Sequence, residues 1–257
     1  MSLTSTANRL LKHVLMGMVL LSASFAAAQT PQAGTPGPAP VKRLNIVWVV
    51  GDDLGIQVAP YGHATAITPT LTRLASVGTR FANSYAVSPT CSPSRSALIT
   101  GRYPTEVGTQ HHRSRLAVAP QTMLDLLAQS GYRIVWPRVP EEGKTDFNFD
   151  SPKLTEATSN WPQEVPPEPF FAYVNDMVVH EGKLKLDEAG HRKLTAELSP
   201  EERQDPGKIN VPPYYPDTPE VRQGLARYEE LVTAFDRRLN RLLETLQKAG
   251  VLERTII

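Results

Sequence analysis

The 257-residue chain has one cysteine, Cys91. A disulfide framework or a thiolate-bound metal cluster needs at least two thiols, so neither organises this protein. A surplus of charge is also missing: 27 Lys and Arg stand against 26 Asp and Glu, for a formal net charge of +1. That balance offers no electrostatic footprint for nucleic acid or another polyanion as the main partner. The apolar run near the start, Val14 to Leu21, falls far short of the roughly 20 residues that span a bilayer, which argues against a stable membrane anchor there.

What is present at the N-terminus reads as a cleaved secretory signal over residues 1–28. Arg9 and Lys12 precede the apolar run, and Ala26-Ala27-Ala28 supplies small residues for a signal peptidase. No cysteine stands there to take a lipid. Export to a periplasm or to the medium is expected, and losing two positive side chains leaves the mature protein close to neutral. Residues 29–41 interleave Pro31, Pro36, Pro38 and Pro40 with Gly34 and Gly37, the composition of a linker. The folded domain is expected over 42–257, and a chain of this size buries roughly 70–75% of its extended surface.

Within that domain, Leu44 to Val50 is a β-branched and apolar run that predicts a strand buried on both faces, ending at Gly51-Asp52-Asp53. Thr68-Pro69 predicts a helix start, with Thr68 as N-cap and Gly78 as its end. Further helices are expected over Pro93 to Thr100 and Gln121 to Ser130, stopped by Gly101 and Gly131, and further strands over Tyr132 to Trp136 and Phe170 to Asn175. This alternation predicts an α/β sheet. Proline-rich stretches at 137–169 and 200–219 predict long loops, of the kind that rim a site. Thr218-Pro219 opens the strongest helix, whose Val221, Leu225, Tyr228, Val232, Phe235, Leu239, Leu242 and Leu246 form one apolar stripe for packing on the sheet. Gly250 ends it, and Thr255-Ile256-Ile257 begins another strand.

Two places carry chemistry. Adjacent carboxylates at Asp52 and Asp53, past the C-terminal end of a buried strand, repel each other, and a hard cation such as Ca²⁺ or Mg²⁺ would compensate. Cys91 precedes a helix start, where backbone N–H groups and Arg95 favour an anion. Taken alone, Gly-Asp-Asp is as often a solvated turn, and a lone Cys is more often a buried bystander.

The surrounding pattern is more specific. Cys91-Ser92-Pro93-Ser94-Arg95, followed by Leu98-Ile99-Thr100-Gly101-Arg102, resembles the signature of the sulfatase family. Asn45 to Asp53 is similar to that family's first strand with its paired metal-binding aspartates. Thr68 to Ala75 and Gly78-Thr79-Arg80-Phe81 are similar to its next helix and strand. The resemblance runs from about Leu44 to the last residue. It implies an alkaline-phosphatase-like α/β sandwich, with a mostly parallel central sheet flanked by helices. It also implies that a formylglycine-generating enzyme converts Cys91 to formylglycine, whose hydrate attacks sulfur with one hydroxyl and expels sulfate by deprotonation of the other. By the same resemblance Asp52, Asp53 and residue 91 hold the Ca²⁺ or Mg²⁺ ion, and Arg95 belongs to the catalytic signature. Lys144 binds the sulfate, and His180 donates to a sulfate oxygen or protonates the leaving group. Trp136-Pro137, Lys144 to Asn148 and Val211 to Thr218 look most similar to the heparan N-sulfatase-like branch. The implied substrate is a sulfated carbohydrate or aryl sulfate, as an O-sulfate or N-sulfate.

The chain also departs from the pattern. Asp146 stands where many sulfatases place His two residues after the Lys, and its role is open. His111 and His112 fall in a loop expected near the pocket, with no basis for choosing between them. The family supplies two further metal ligands just after a strand that starts like Thr255-Ile256-Ile257, then a later Lys or Arg and a small C-terminal sheet domain. The chain ends before these, so it is expected to be a fragment. Two rival readings remain. A phosphatase or phosphodiesterase of the same superfamily is disfavoured by the Cys-x-Pro-x-Arg pattern, since those relatives use Ser or Thr with two zinc ions; a catalytically silent exported binding protein is the other. On the fragment expectation, residues 1–257 alone bind metal poorly and hydrolyse an aryl sulfate at little or no rate. Robust turnover by the purified chain would contradict it.

Overall fold

The computed structural model describes residues 43–137, 145–151, 158–159 and 165–257. The signal and linker expected over 1–41, and the candidate Lys144, lie outside the described residues. Among the described residues, five strands form one sheet: β1 (Asn45–Gly51), β2 (Arg133–Pro137), β3 (Thr158–Ser159), β4 (Phe170–Asp176) and β5 (Thr255–Ile256), in the order β3-β2-β4-β1-β5. Every pairing among them is parallel. The helices are α1 (Pro69–Val77), α2 (Cys91–Thr100), α3 (Pro104–Val107), α4 (Met123–Gln129), α5 (Glu188–Leu194) and α6 (Pro219–Lys248), joined in places by single 3-10 turns.

Alternation along the central strands decides which helix lies on which face. Phe170, Ala172 and Val174 of β4 and Val47 of β1 pack on Leu239, Leu242 and Leu246 of α6. Phe171 and Tyr173 point the other way, together with Ile46 and Trp48, onto Ile99 of α2 and Leu124 of α4. Trp48 meets Phe171 and Tyr173 edge-on, with ring centroids 6.4 and 6.1 Å apart. Every residue of β4 is buried, as a central parallel strand covered on both faces requires.

Helix α6 starts as expected, with the Thr218 hydroxyl accepting the Val221 N–H at 3.4 Å. It departs from a one-sided stripe in its middle, where residues 229–236 are all buried. Leu231, Val232, Ala234 and Phe235 pack there against Val58, Val178, Val179 and Leu198. The polar groups in this stretch are partnered accordingly. Glu229 meets His63 and Glu230 meets His191, each at 2.8 Å. Burial raises the Glu230 pKa, but the bonds from His191, the Gln204 N–H and Arg203 outweigh it and hold the carboxyl below its ordinary value.

Four local expectations are corrected. Thr68 does not cap α1, because its hydroxyl accepts the Ala59 N–H at 3.0 Å. The cap comes instead from Asp236 of α6, whose fully buried carboxylate accepts the Thr70 and Leu71 N–H groups at 2.9 and 2.8 Å. Helix α2 begins at Cys91, two residues before Pro93, so the cysteine belongs to its first turn. Residues 78–81 form no strand: Phe81 is 67% exposed, its carbonyl accepts the Tyr61 hydroxyl at 3.0 Å, and no described strand pairs with it. Helix α4 is also shorter than expected, set by a capping box between Thr122 and Asp125.

Asp236→Ala removes a charge-assisted cap and leaves two N–H groups of α1 buried without an acceptor. Denaturant unfolding should show a loss of about 2–4 kcal/mol, with Asp236→Asn recovering part of it.

Candidate active site

Register delivers the site residues to one edge of the sheet. Val50 lies opposite Asn175 and Gly51 opposite Asp176, so Asp52 emerges just past the C-terminal ends of β1 and β4. Its N–H donates to the Asp176 carbonyl at 3.2 Å. Gly51 is required by close approach: a Cβ there would lie 3.0 Å from Leu54 Cβ and 3.3 Å from the Phe235 ring. The next carboxylate, Asp53, is held from two sides. Its Oδ2 accepts the Glu181 N–H at 2.7 Å, and its carbonyl accepts the Tyr228 hydroxyl at 2.9 Å. Burial raises the Tyr228 pKa, with Asp53 and Glu229 adding to it, so the phenol stays a donor.

His180 follows β4 and turns back toward the same place. Its Nδ1 accepts the Gly182 N–H at 3.0 Å, and its Nε2 lies 3.7 Å from Asp52 Oδ2. One ligand atom from each of Asp52, Asp53 and His180 lies within 4.8 Å of the others. The two carboxylates are hard oxygen donors and fit Ca²⁺ or Mg²⁺. The imidazole fits a different task. With Nδ1 accepting a hydrogen bond, the neutral ring is assigned its proton at Nε2, and a protonated nitrogen donates rather than ligates.

Arg95 joins the two halves of the site. One turn beyond Cys91 on α2, it is buried at 3% exposure, and its guanidinium donates to Asp52 Oδ1, to Asn175 Oδ1 at 3.1 Å and to the Tyr173 hydroxyl at 3.4 Å. Tyr173 and Asn175 are two residues apart on β4 and so share the face that α2 covers. Burial disfavours the Arg95 charge, but Tyr173, the bond and charge of Asp52, and the neighbouring Cys91 outweigh it and raise its already high pKa. Burial likewise raises the Tyr173 pKa, opposed by Arg95. Cys91 itself is half-buried.

The structure thus brings Asp52, Asp53, Arg95 and His180 to one edge, with Cys91 one turn before Arg95 on α2; among the described residues, Cys91 is not part of the group whose ligand atoms lie within 4.8 Å of one another. The structure adds Tyr173, Asn175 and Tyr228, whose roles become visible only with the strand register. Asp146 acquires a partner: its Oδ1 lies 3.6 Å from Arg113 Nε. His111 and His112 sit on a loop pinned by Ser92 and Asn148.

A family model described as Sulfatase matches residues 44–257. The chain belongs to the sulfatase family. It is 28% identical over 259 residues to an ulvan-active sulfatase of Formosa agariphila, covering 84% of this chain and 43% of that protein. Arylsulfatase A of Homo sapiens is 34% identical over 122 residues, 45% of this chain and 22% of that protein. The chain therefore spans less than half the length of these relatives. Among solved structures it resembles a 2-O GAG sulfatase at TM-score 0.56 and 18% identity, over 83% of this chain and 56% of that one. It also resembles the phosphonate monoester hydrolase of Agrobacterium radiobacter at TM-score 0.59 and 16% identity, over 83% and 61%. The fold is the alkaline-phosphatase-like sandwich that the signature implies, with a parallel sheet between helices.

Arg95→Met should cost about 3–5 kcal/mol in denaturant unfolding, because it leaves the Asp52 charge buried beside a lost cation. In an Asp52→Asn background the same substitution should cost at least about 1 kcal/mol less. Strict additivity would show that the two groups are not coupled.

Proposed function

We propose that this sulfatase is an exported, formylglycine-dependent hydrolase of sulfate groups on carbohydrate. The observation that carries the reading is the placement of Cys91 in the first turn of α2, with Arg95 one turn on bonded directly to Asp52. Residue 91 is the site of conversion by a formylglycine-generating enzyme. Once converted, residue 91 would supply the nucleophilic hydroxyl for displacement at sulfur and the second hydroxyl needed to release sulfate. Asp52 and Asp53, with residue 91, would hold a Ca²⁺ or Mg²⁺ ion, which supplies positive charge for the sulfuryl oxygens.

The chain's own residues do the rest. Arg95 holds the Asp52 carboxylate by a direct bond and fixes the first turn of α2 against the sheet. The Glu181 N–H orients Asp53, and the Gly182 N–H keeps the His180 proton on Nε2, from where it donates to a sulfate oxygen or to the leaving group. Lys144 is assigned the remaining sulfate charge. Residues 1–28 direct export to a periplasm or the medium, 29–41 link, and 42–257 form part of the catalytic domain.

For substrate class, several similar proteins are named for sulfated sugars, an ulvan-active sulfatase, an N-acetylgalactosamine-6-O-sulfatase and a structure holding D-glucosamine-2-N,6-O-disulfate, while others are arylsulfatases and steryl-sulfatases. A sulfated oligosaccharide, as O-sulfate or N-sulfate, is the substrate that this set supports. One observation favours a second reading, hydrolysis of a phosphorus ester, namely the likeness to a phosphonate monoester hydrolase. Relative turnover of nitrophenyl sulfate and nitrophenyl phosphonate separates the two.

Two measurements test the proposal. Mass spectrometry of the peptide carrying Cys91, from the native host, should show formylglycine; a quantitative unmodified thiol would instead favour a silent binding protein. Ca²⁺ or Mg²⁺ at about 100 times its Kd should stabilise the chain by about 2.7 kcal/mol in thermal or chemical unfolding. Asp53→Asn should abolish that shift, and an unchanged shift would remove Asp53 from the metal site.

A further inference from the structure

The loop after α3 carries two adjacent imidazoles and two arginines beside the nucleophile position, and the structure distinguishes among them. Ser92, the neighbour of Cys91, is fully buried, and its hydroxyl oxygen accepts the Arg113 N–H at 2.7 Å. The Ser92 oxygen also lies 3.3 Å from His112 Nδ1, a bond whose direction follows the imidazole tautomer. When the Ser92 hydroxyl donates, the neutral His112 ring carries its proton on Nε2. His112 is therefore tied by one hydrogen bond to the residue next to the nucleophile, and in that tautomer it offers an N–H donor from its far side. His111 has no such tie; it is its carbonyl, not its ring, that accepts Asn148 Nδ2 at 2.8 Å.

The backbone that presents these side chains is fixed from below. Buried Asn148 also donates to the Ser114 carbonyl at 2.7 Å, and its own N–H and Oδ1 are both bonded to the Ser96 hydroxyl of α2. The loop thus moves with α2. At its centre Arg113 adopts φ +56°, a left-handed conformation that a non-glycine residue takes only under constraint. Its side chain is 64% exposed, and Asp146 approaches its Nε at 3.6 Å. That approach is longer than a hydrogen bond, and the exposed guanidinium carries the planar pair of donors that suits an oxyanion.

We infer that His112 and Arg113 form a subsite beside residue 91 that binds a second oxyanion, a carboxylate or a further sulfate, on the sugar bearing the scissile sulfate. The inference rests on the sulfated-carbohydrate reading and deepens it. It assigns the substrate to doubly anionic sugars and makes Ser92 and Asn148 positioning residues that act through the loop.

The test is calorimetric binding of three probes to the full chain: glucosamine 6-sulfate, glucosamine 2-N,6-O-disulfate and glucuronic acid 2-sulfate. The two doubly anionic probes should bind wild type more tightly than the monosulfate, and whichever is tighter identifies the second oxyanion as sulfate or carboxylate. Arg113→Gly removes the guanidinium while suiting the left-handed backbone. It should weaken the preferred doubly anionic probe about tenfold and the monosulfate less than about twofold. Arg113→Lys should restore part of the loss. His112→Ala should act in the same direction, and His112→Gln, which keeps an N–H at similar reach, should recover it. Equal weakening of all probes, or of none, overturns the subsite while leaving the sulfatase reading in place. Failure of wild type to bind even the monosulfate would overturn both.

Discussion

The buried contact between Arg95 and Asp52 is the constraint on which the rest of the site depends. It links α2 to the end of β1, and through Asn175 and Tyr173 it links both to β4. A buried ion pair of this kind is a weak source of stability, because desolvating two charges offsets most of their attraction. Its consequence is positional. Any rotation of α2 that moved residue 91 would pull the guanidinium away from the Asp52 carboxylate and break a buried contact between opposite charges. The first turn of α2 is thereby held to the same sheet edge that carries both aspartates and His180.

That contact exists only because the period of a strand separates two functions on one element. Phe170, Ala172 and Val174 serve the α6 face, whereas Phe171, Tyr173 and Asn175 lie on the α2 face. The first two of the latter set are core, and toward the C-terminal end the same row becomes polar. Hydrophobic packing and charge orientation follow one another along a single line of side chains, so the core that aligns α2 also aligns its arginine.

Strands β1 and β4, the long α6 and the body of α2 were legible because their signals are local: β-branched runs, a 3.6-residue repeat, proline and glycine punctuation; the first turn of α2, which takes in Cys91, was expected to lie before the helix. The cap on α1 was not. Thr68 stood in the right place in sequence, but the group that binds the helix N–H groups is Asp236, 166 residues away from Thr70, and no local pattern encodes such a partner. Tyr173 and Asn175 were equally hidden, since alternation marks a face only once it is known which helix covers it. The middle of α6 was only half legible: its apolar stripe was real, but nothing in the local pattern marks Glu229 and Glu230 as buried with histidine partners. His111 and His112 are equivalent as letters, and only the hydroxyl of Ser92 separates them.

The turn after β4 shows how little chain is needed to set two chemical states at once. Successive N–H groups, from Glu181 and Gly182, are used separately: one on the Asp53 carboxylate, the next on His180 Nδ1. The first orients a metal-binding oxygen, and the second sets which imidazole nitrogen carries the proton in the neutral ring. Both donors belong to one turn, so the backbone that orients the Asp53 carboxylate also orients the His180 ring. The place where positive charge would gather and the place where a proton is offered are therefore set by neighbouring peptide groups, and a substrate that uses both must match their separation.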